Sequence, residues 1–376
     1  MKKILLFGSF PPPYHGSSIY LQNLHDLLFM KKEFDVIKVN STKKPKDLND
    51  LGNWTFTNFS NALRSLLELL FKLITNNVDV VYIPIAQNKS AFLRDGIAIL
   101  ISKFLGKKVL IHLNGSYFLE FYNKCKIMYK LFINYSMKKV DGAIVLGGKL
   151  KYIFKTWLDD RRIFVLPNFI KVSASTSIQN TNEKKNFVTL IYLSNLIKSK
   201  GIFELISVSE ILHKYNFKIE LLIVGNPTKD PFTGTSEEEM KGLIQQKVKE
   251  NNFIKFIGAI TDNHSKFELL SKSDIFVLPS WYENEGQPLS ILEAMSVGLP
   301  IISTKDCGVI DETVIDGYNG ILVEKRNVHQ LAEAIKKLLM DEDLRKKMSE
   351  NSRKRYLELY TPEKHYELFK EILINI

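Results

Sequence analysis

The sequence predicts an α/β protein built from two successive doubly wound domains. Short β-branched runs alternate with longer amphipathic ones along nearly the whole chain, and the short runs are apolar throughout. Continuous apolar strands separated by helices imply parallel sheets covered on both faces. The alternation pauses once, at a polar stretch near the middle, and then restarts. A chain of 376 residues is also long for a single core, so two domains are the natural expectation.

In the first half the predicted strands are 3–9, 34–39, 78–85, 108–113, 142–146 and 163–167, with helices between them near 16–30, 59–76, 90–105, 118–138 and 149–157. Residues 171–186 are polar and lack periodicity, which marks an interdomain linker. Strands resume at 187–194, 218–225, 254–258, 274–279, 299–304 and 320–324. A charged helical region runs from Val328 to about Tyr360, and a last amphipathic helix starts at Pro362 with Thr361 as its cap. The expected organisation is a first domain over 1–170, a linker, a second domain over 187–360 and a terminal helix over 361–376. The run 64–74 has an apolar stripe that reads as a core-facing helix, with a membrane-surface helix as the alternative.

Composition is globular, with 45% hydrophobic and 25% charged residues. The two cysteines, Cys125 and Cys307, are assigned to different domains, so no disulfide is expected and a reducing compartment fits. The apolar run after Met1 is too short for a signal segment, and no stretch approaches a membrane span. A cytoplasmic protein is expected, with peripheral attachment to the inner face of the membrane as a further expectation. Charge is uneven: residues 1–170 hold 25 Lys+Arg and 12 Asp+Glu, a balance of +13, while the whole chain is +11. Such a field favours an anionic partner. Charge alone does not make a nucleic-acid binder, and no reading module for one is present.

The most informative run is ENEGQPLSILEAMSVGLPII, 283–302. Pro288 suits the first turn of a helix, where its missing N–H costs nothing. Gln287 before it is a poor cap, so the amides of Leu289 and Ser290 are left free to bind phosphate through hydrogen bonds and the helix dipole. Ile291, Leu292 and Met295 cluster on a helical wheel, and Glu293 points roughly 150° away from them. A carboxylate there can accept two hydrogen bonds from a ribose diol. Glu285 faces the same opening from the loop. These residues fit a nucleotide-diphosphate site, and they equally fit two surface glutamates near a helix start.

Glu285-x7-Glu293 in this setting resembles the signature of the family 4 retaining glycosyltransferases, which have the GT-B fold. FPPPYHGSS (10–18), FLRDGIAILISKFLGKKVLIHLNGS (92–116), VLPNFI (165–170), LSNLIKSKG (193–201) and VIDGYNGILVE (314–324) are similar to further family segments, in the family's order. The resemblance implies two Rossmann-like domains facing a cleft, with the C-terminal helix packing back on the first. It implies that Glu285 holds the donor-sugar hydroxyls, Glu293 binds the ribose, Lys200 neutralises the diphosphate and His112 sits near the donor sugar. Gly16 would let the first loop approach the donor, and Gly258 would contact the base. Gly286, Gln287, Leu289 and Ser290 complete the donor loop and helix start, and Asn195 lies where the family has arginine. An amide does not replace that planar two-pronged cation, so either diphosphate binding leans harder on Lys200 and the helix start, or another basic residue helps.

Each residue also has a plainer reading. His112 alone is a hydrogen-bonded structural histidine, Lys200 a solvated loop lysine, and His15 and Lys149 loop or helix-start residues. Asp341-Glu342-Asp343 spells a metal-binding triplet in other sugar transferases, but helix-start acids are common. No zinc-ligand spacing, dinucleotide fingerprint or P-loop is present. The expected reaction moves a sugar from a nucleotide diphosphate, with a UDP-sugar the expected donor, to a glycan or lipid-linked glycan. The anomeric configuration is retained, no metal or cofactor is used, and the pathway is surface-polysaccharide assembly. A nucleotide-sugar epimerase on the same fold and a non-catalytic nucleotide-sugar-binding subunit are the alternatives.

Overall fold

The computed structural model describes residues 1–12, 16–42, 56–172 and 186–376. His15 and nearly all of the expected linker lie outside the described residues. The chain divides into two compact units. One comprises Met1–Asn168 with Pro362–Ile376, and the other Phe169–Thr361.

The first unit runs β1 (Lys2–Gly8), α1 (Gly16–Lys31), β2 (Phe34–Asn40), α2 (Phe56–Thr75), β3 (Val80–Pro84), α3 (Lys89–Phe104), β4 (Lys108–Leu113), α4 (Phe118–Asn123), α5 (Ile127–Met137), β5 (Gly142–Val145) and β6 (Ile163–Val165). Its six strands are all parallel, in the order β2-β1-β3-β4-β5-β6. The order reverses between β1 and β3. Right-handed crossovers therefore put α1 on one face of the sheet and α2, α3 and α5 on the other. Ile4, Leu5, Val80, Val81, Leu110 and Ile111 are fully buried, as strands covered on both faces require.

The second unit runs β7 (Val188–Leu193), α6 (Ile202–Lys214), β8 (Ile219–Val224), α7 (Glu237–Glu250), β9 (Ile254–Gly258), α8 (Asn263–Ser271), β10 (Ile275–Leu278), α9 (Leu289–Ser296), β11 (Ile301–Thr304), α10 (Ile310–Thr313), β12 (Gly320–Val323), α11 (Val328–Met340) and α12 (Glu342–Leu359). Its parallel sheet has the order β12-β11-β10-β7-β8-β9. Here the reversal falls between β7 and β10, so the loops leaving those two strands flank the switch point where ligands bind in such sheets.

The last helix, α13 (Pro362–Asn375), belongs to the first unit. Its His365, Phe369, Ile372 and Leu373 are buried. The ring of Phe369 lies 5.7 Å from that of Tyr82, Lys370 pairs with Glu33 at 2.5 Å, and Lys2 donates to the carbonyl of Leu373.

Four expectations change. The helix over 118–138 breaks at Lys124–Lys126, where Lys126 has an extended backbone. The helix over 149–157 is a 3₁₀ helix, Gly148–Phe154. The charged region after Val328 is two helices, divided at Asp341, whose side chain accepts from the Leu344 amide and caps the second. The stripe in 64–74 is only half core-facing: Ser65, Leu69 and Leu73 are buried, whereas Leu67, Phe71 and Ile74 are exposed.

Candidate functional site

The loop after β7 ends in a 3₁₀ turn, Lys198–Lys200, and then Gly201 at φ 77°. A side chain at Gly201 would bring its Cβ 2.1 Å from the carbonyl oxygen of Pro279, just past β10. Glycine is thus what lets the loops after β7 and β10 touch. The Trp281 amide donates to the Ser199 carbonyl at 2.8 Å and closes the junction. The Lys200 ammonium then sits 3.1 Å from both oxygens of Glu285. Ser280, fully buried, donates to Glu285 Oε2 at 2.7 Å. The ammonium also lies 5.5 Å from the centre of the Tyr282 ring. Lys200 and Glu285 are both largely shielded from solvent, so each charge depends on the other. Burial and the nearby Glu285 carboxylate push the Tyr282 hydroxyl up to about 12, which keeps it neutral.

The loop carrying Glu285 is pinned from behind. Gly308, at φ 57°, runs so close that a Cβ there would lie 2.1 Å from the Gly286 carbonyl oxygen. The Val309 amide donates to that same carbonyl at 3.0 Å. The Gln287 amide group donates to Thr313 Oγ1 at 2.9 Å, which turns this side chain inward. Pro288 is the cap residue of α9, at ψ 119°, and not its first helical residue as expected. It offers no side-chain hydrogen bond, and the helix begins at Leu289. The amides of Leu289 and Ser290 therefore start a helix without a side-chain cap, beside Glu285 in the chain.

Glu293 lies off the packing face of α9, while Ile291, Leu292 and Met295 are buried. It meets Lys266 of α8 at 2.5 Å. Burial raises the Glu293 carboxyl above the usual carboxylate range, and Lys266 opposes that shift. No local pattern marks Lys266, because the pair joins two helices whose relative placement only the fold decides.

His112, expected near the donor sugar, lies one residue from the end of β4, and its Nε2 is buried without a hydrogen-bond partner. It is fully buried in the first unit, its Nδ1 hydrogen-bonded to the Tyr82 hydroxyl and its ring 5.0 Å from Tyr20. Desolvation, with His365 nearby, holds its pKa down to about 3, so it is neutral. Two residues along, Asn114 is the first position past β4, and its Oδ1 is buried without a hydrogen-bond partner. Gly16 opens α1 and is exposed. Asn195 is exposed after β7. Gly258 ends β9 at φ 80°, its carbonyl accepting from the Gly225 amide at 2.9 Å. Lys149 is exposed on the 3₁₀ helix. In the 341–343 triplet Asp341 is a helix cap and Glu342 pairs with Lys346 at 2.8 Å. No cluster of three His, Cys, Asp or Glu suited to a metal occurs among the described residues.

Residues 174–355 match the family model described as glycosyl transferases group 1. An uncharacterized glycosyltransferase of Methanocaldococcus jannaschii, MJ1069, is 31% identical over 278 residues, covering 71% of this chain and 68% of the relative. The capsular polysaccharide biosynthesis glycosyltransferase CapM of Staphylococcus aureus is 31% identical over 245 residues, covering 60% of this chain and 61% of the relative. Among solved structures, Anabaena Alr3699/HepE in complex with UDP and glucose has a TM-score of 0.71 at 17% identity, with 100% of both chains covered.

Proposed function

This chain belongs to the group 1 glycosyl transferases, and from that premise we propose that it moves a sugar from a UDP-sugar to a glycan or lipid-linked glycan acceptor, with retention of configuration. The observation that carries the proposal is the position of Lys200, Glu285 and the uncapped start of α9 around the β7–β10 switch point. In this reading the Glu285-x7-Glu293 spacing is the family 4 signature. The diphosphate lies against the amides of Leu289 and Ser290, the ribose diol meets Glu293, and the backbone near Gly258 contacts the base.

Charge builds up on the departing diphosphate as the glycosidic bond breaks. Lys200 and the helix-start amides are fixed donors aimed at that charge, and such donors act without reorganising. Glu285 has a double task. It anchors the lysine, and its remaining lone pairs accept from sugar hydroxyls. Retention follows if the acceptor hydroxyl attacks from the leaving-group side and passes its proton to a donor phosphate oxygen, so no side chain has to be the base. In this reading His112, neutral in the fold, has a positioning role near the donor sugar and is not the base. Lysine and amides supply the positive charge, and the reaction needs no metal. The transferred unit is a hexose or N-acetylhexosamine, and the setting is surface-polysaccharide assembly at the inner membrane face. CapM, named for capsular polysaccharide biosynthesis, supports that setting.

A thermal-shift screen of nucleotide sugars, followed by product analysis with the best binder, tests the proposal. Stabilisation by UDP-sugars above other nucleotides is the expected result. A chain that binds no nucleoside diphosphate would refute it.

A further inference from the structure

α2 is apolar on two sides. Ser65, Leu69 and Leu73 face the sheet and are buried. On the opposite side Phe59, Leu63, Leu67, Phe71 and Ile74 form a second stripe, each 50–67% exposed. A surface helix of a soluble domain normally has one apolar face. The second stripe runs from Phe59 to Ile74, roughly 22 Å at 1.5 Å rise per residue, and contiguous exposed apolar surface of this kind marks an interaction site.

The same face of the unit carries a second exposed stripe. α3 contacts both α2 and α5, and on α5 Ile127, Met128, Leu131 and Tyr135 are 55–76% exposed at helical spacing. Lysines surround them: the segment 118–139 holds Lys124, Lys126, Lys130, Lys138 and Lys139 against one acid, Glu120. Lys124, Lys126, Lys138 and Lys139 are exposed. None of the described helices is long and apolar enough to cross a membrane. Exposed aromatic and aliphatic side chains among lysines suit a helix lying in the headgroup layer of an anionic bilayer. A second copy of the chain fits less well, because it would set lysine against lysine.

We propose that the α2–α3–α5 face of the first unit is a docking surface for an anionic lipid bilayer, with the outward stripes of α2 and α5 inserted and the lysines at the two ends of α5 on the headgroups. This goes beyond the donor reading, and its test does not depend on that reading.

The test is flotation of the full chain with vesicles of phosphatidylcholine alone or mixed with phosphatidylglycerol. The wild type should float with the mixed vesicles and bind neutral ones much more weakly. L67Q/F71Q should lower the partition coefficient about tenfold or more, since two inserted side chains are lost. K124Q/K126Q/K138Q/K139Q should remove the preference for anionic lipid. All of these residues are exposed, though Lys124 also donates to the Tyr117 hydroxyl and Lys139 lies over the Tyr135 ring, and thermal melting confirms that the variants are folded. I127S/M128S gives an independent reading on α5. Equal flotation of wild type and L67Q/F71Q, or none by the wild type, would overturn the proposal. So would a concentration-dependent dimer in sedimentation velocity that L67Q/F71Q abolishes, which would assign the face to a second copy. UDP-induced stabilisation, read in the same samples, reports the donor site separately.

Discussion

Lys200 and Glu285 lie 85 residues apart in the chain, yet the lysine Nζ is 3.1 Å from the carboxylate. They come from loops after two adjacent parallel strands, β7 and β10, on either side of the point where the strand order reverses. A largely buried ion pair at that location is poorly explained by stability, because desolvation offsets much of its attraction. In the proposed function it is a preset cation beside the helix start that would hold the diphosphate.

Lys200→Ala should lower kcat about 10²- to 10³-fold, the usual loss on removing one fixed donor to developing charge. Glu285→Ala should lower it strongly too, and also leave the Lys200 charge unpaired. Ser280→Ala should give a smaller loss, because Glu285 keeps Lys200 but loses its second anchor. Steady-state kinetics with folded variants checks the order, and wild-type turnover in Lys200→Ala would remove this site.

Glu293→Ala should weaken nucleotide affinity with little effect on kcat. Lys266→Ala should do so in part, since it removes the partner that helps keep Glu293 charged. Calorimetric titration with UDP reads both, and unchanged affinity in Glu293→Ala would count against the ribose role.

Stability should fall as pH drops below about 6.5. His112 and His365 are neutral in the fold, each with a pKa depressed to about 3 by desolvation. In the unfolded chain both take up protons below about 6.5. Between those limits the unfolded state binds more protons, so stability rises with pH there and declines with acid. By pH 5 the loss is about 2 kcal/mol for each histidine. Urea denaturation at several pH values measures it, and a flat profile from pH 7 to 5 would contradict the burial argument.

Gly201→Ala should cost about 1–3 kcal/mol through its left-handed backbone alone, and the clash with Pro279 adds to that. It should weaken UDP binding as well, because Lys200 is the preceding residue. Denaturation curves and UDP titration, run on one preparation, test both effects.

Turnover should be insensitive to EDTA. A loss of activity in chelator that added Mg²⁺ restores would show that charge stabilisation requires a cation this reading leaves out.

The sequence by itself determined the alternation of strands and helices, and with it two parallel sheets, because apolar periodicity is a local property that survives without coordinates. It also determined the uncapped start near Pro288 and the outward direction of Glu293, which depend on a few neighbouring residues. Only the tertiary structure decided that Lys200 reaches Glu285, that Lys266 holds Glu293, and that His112 is enclosed by Tyr20, Tyr82 and His365. It also decided that one side of α2 is left uncovered. Those outcomes depend on which strands become neighbours and how closely loops approach, and no local pattern encodes distances between residues so far apart in the chain.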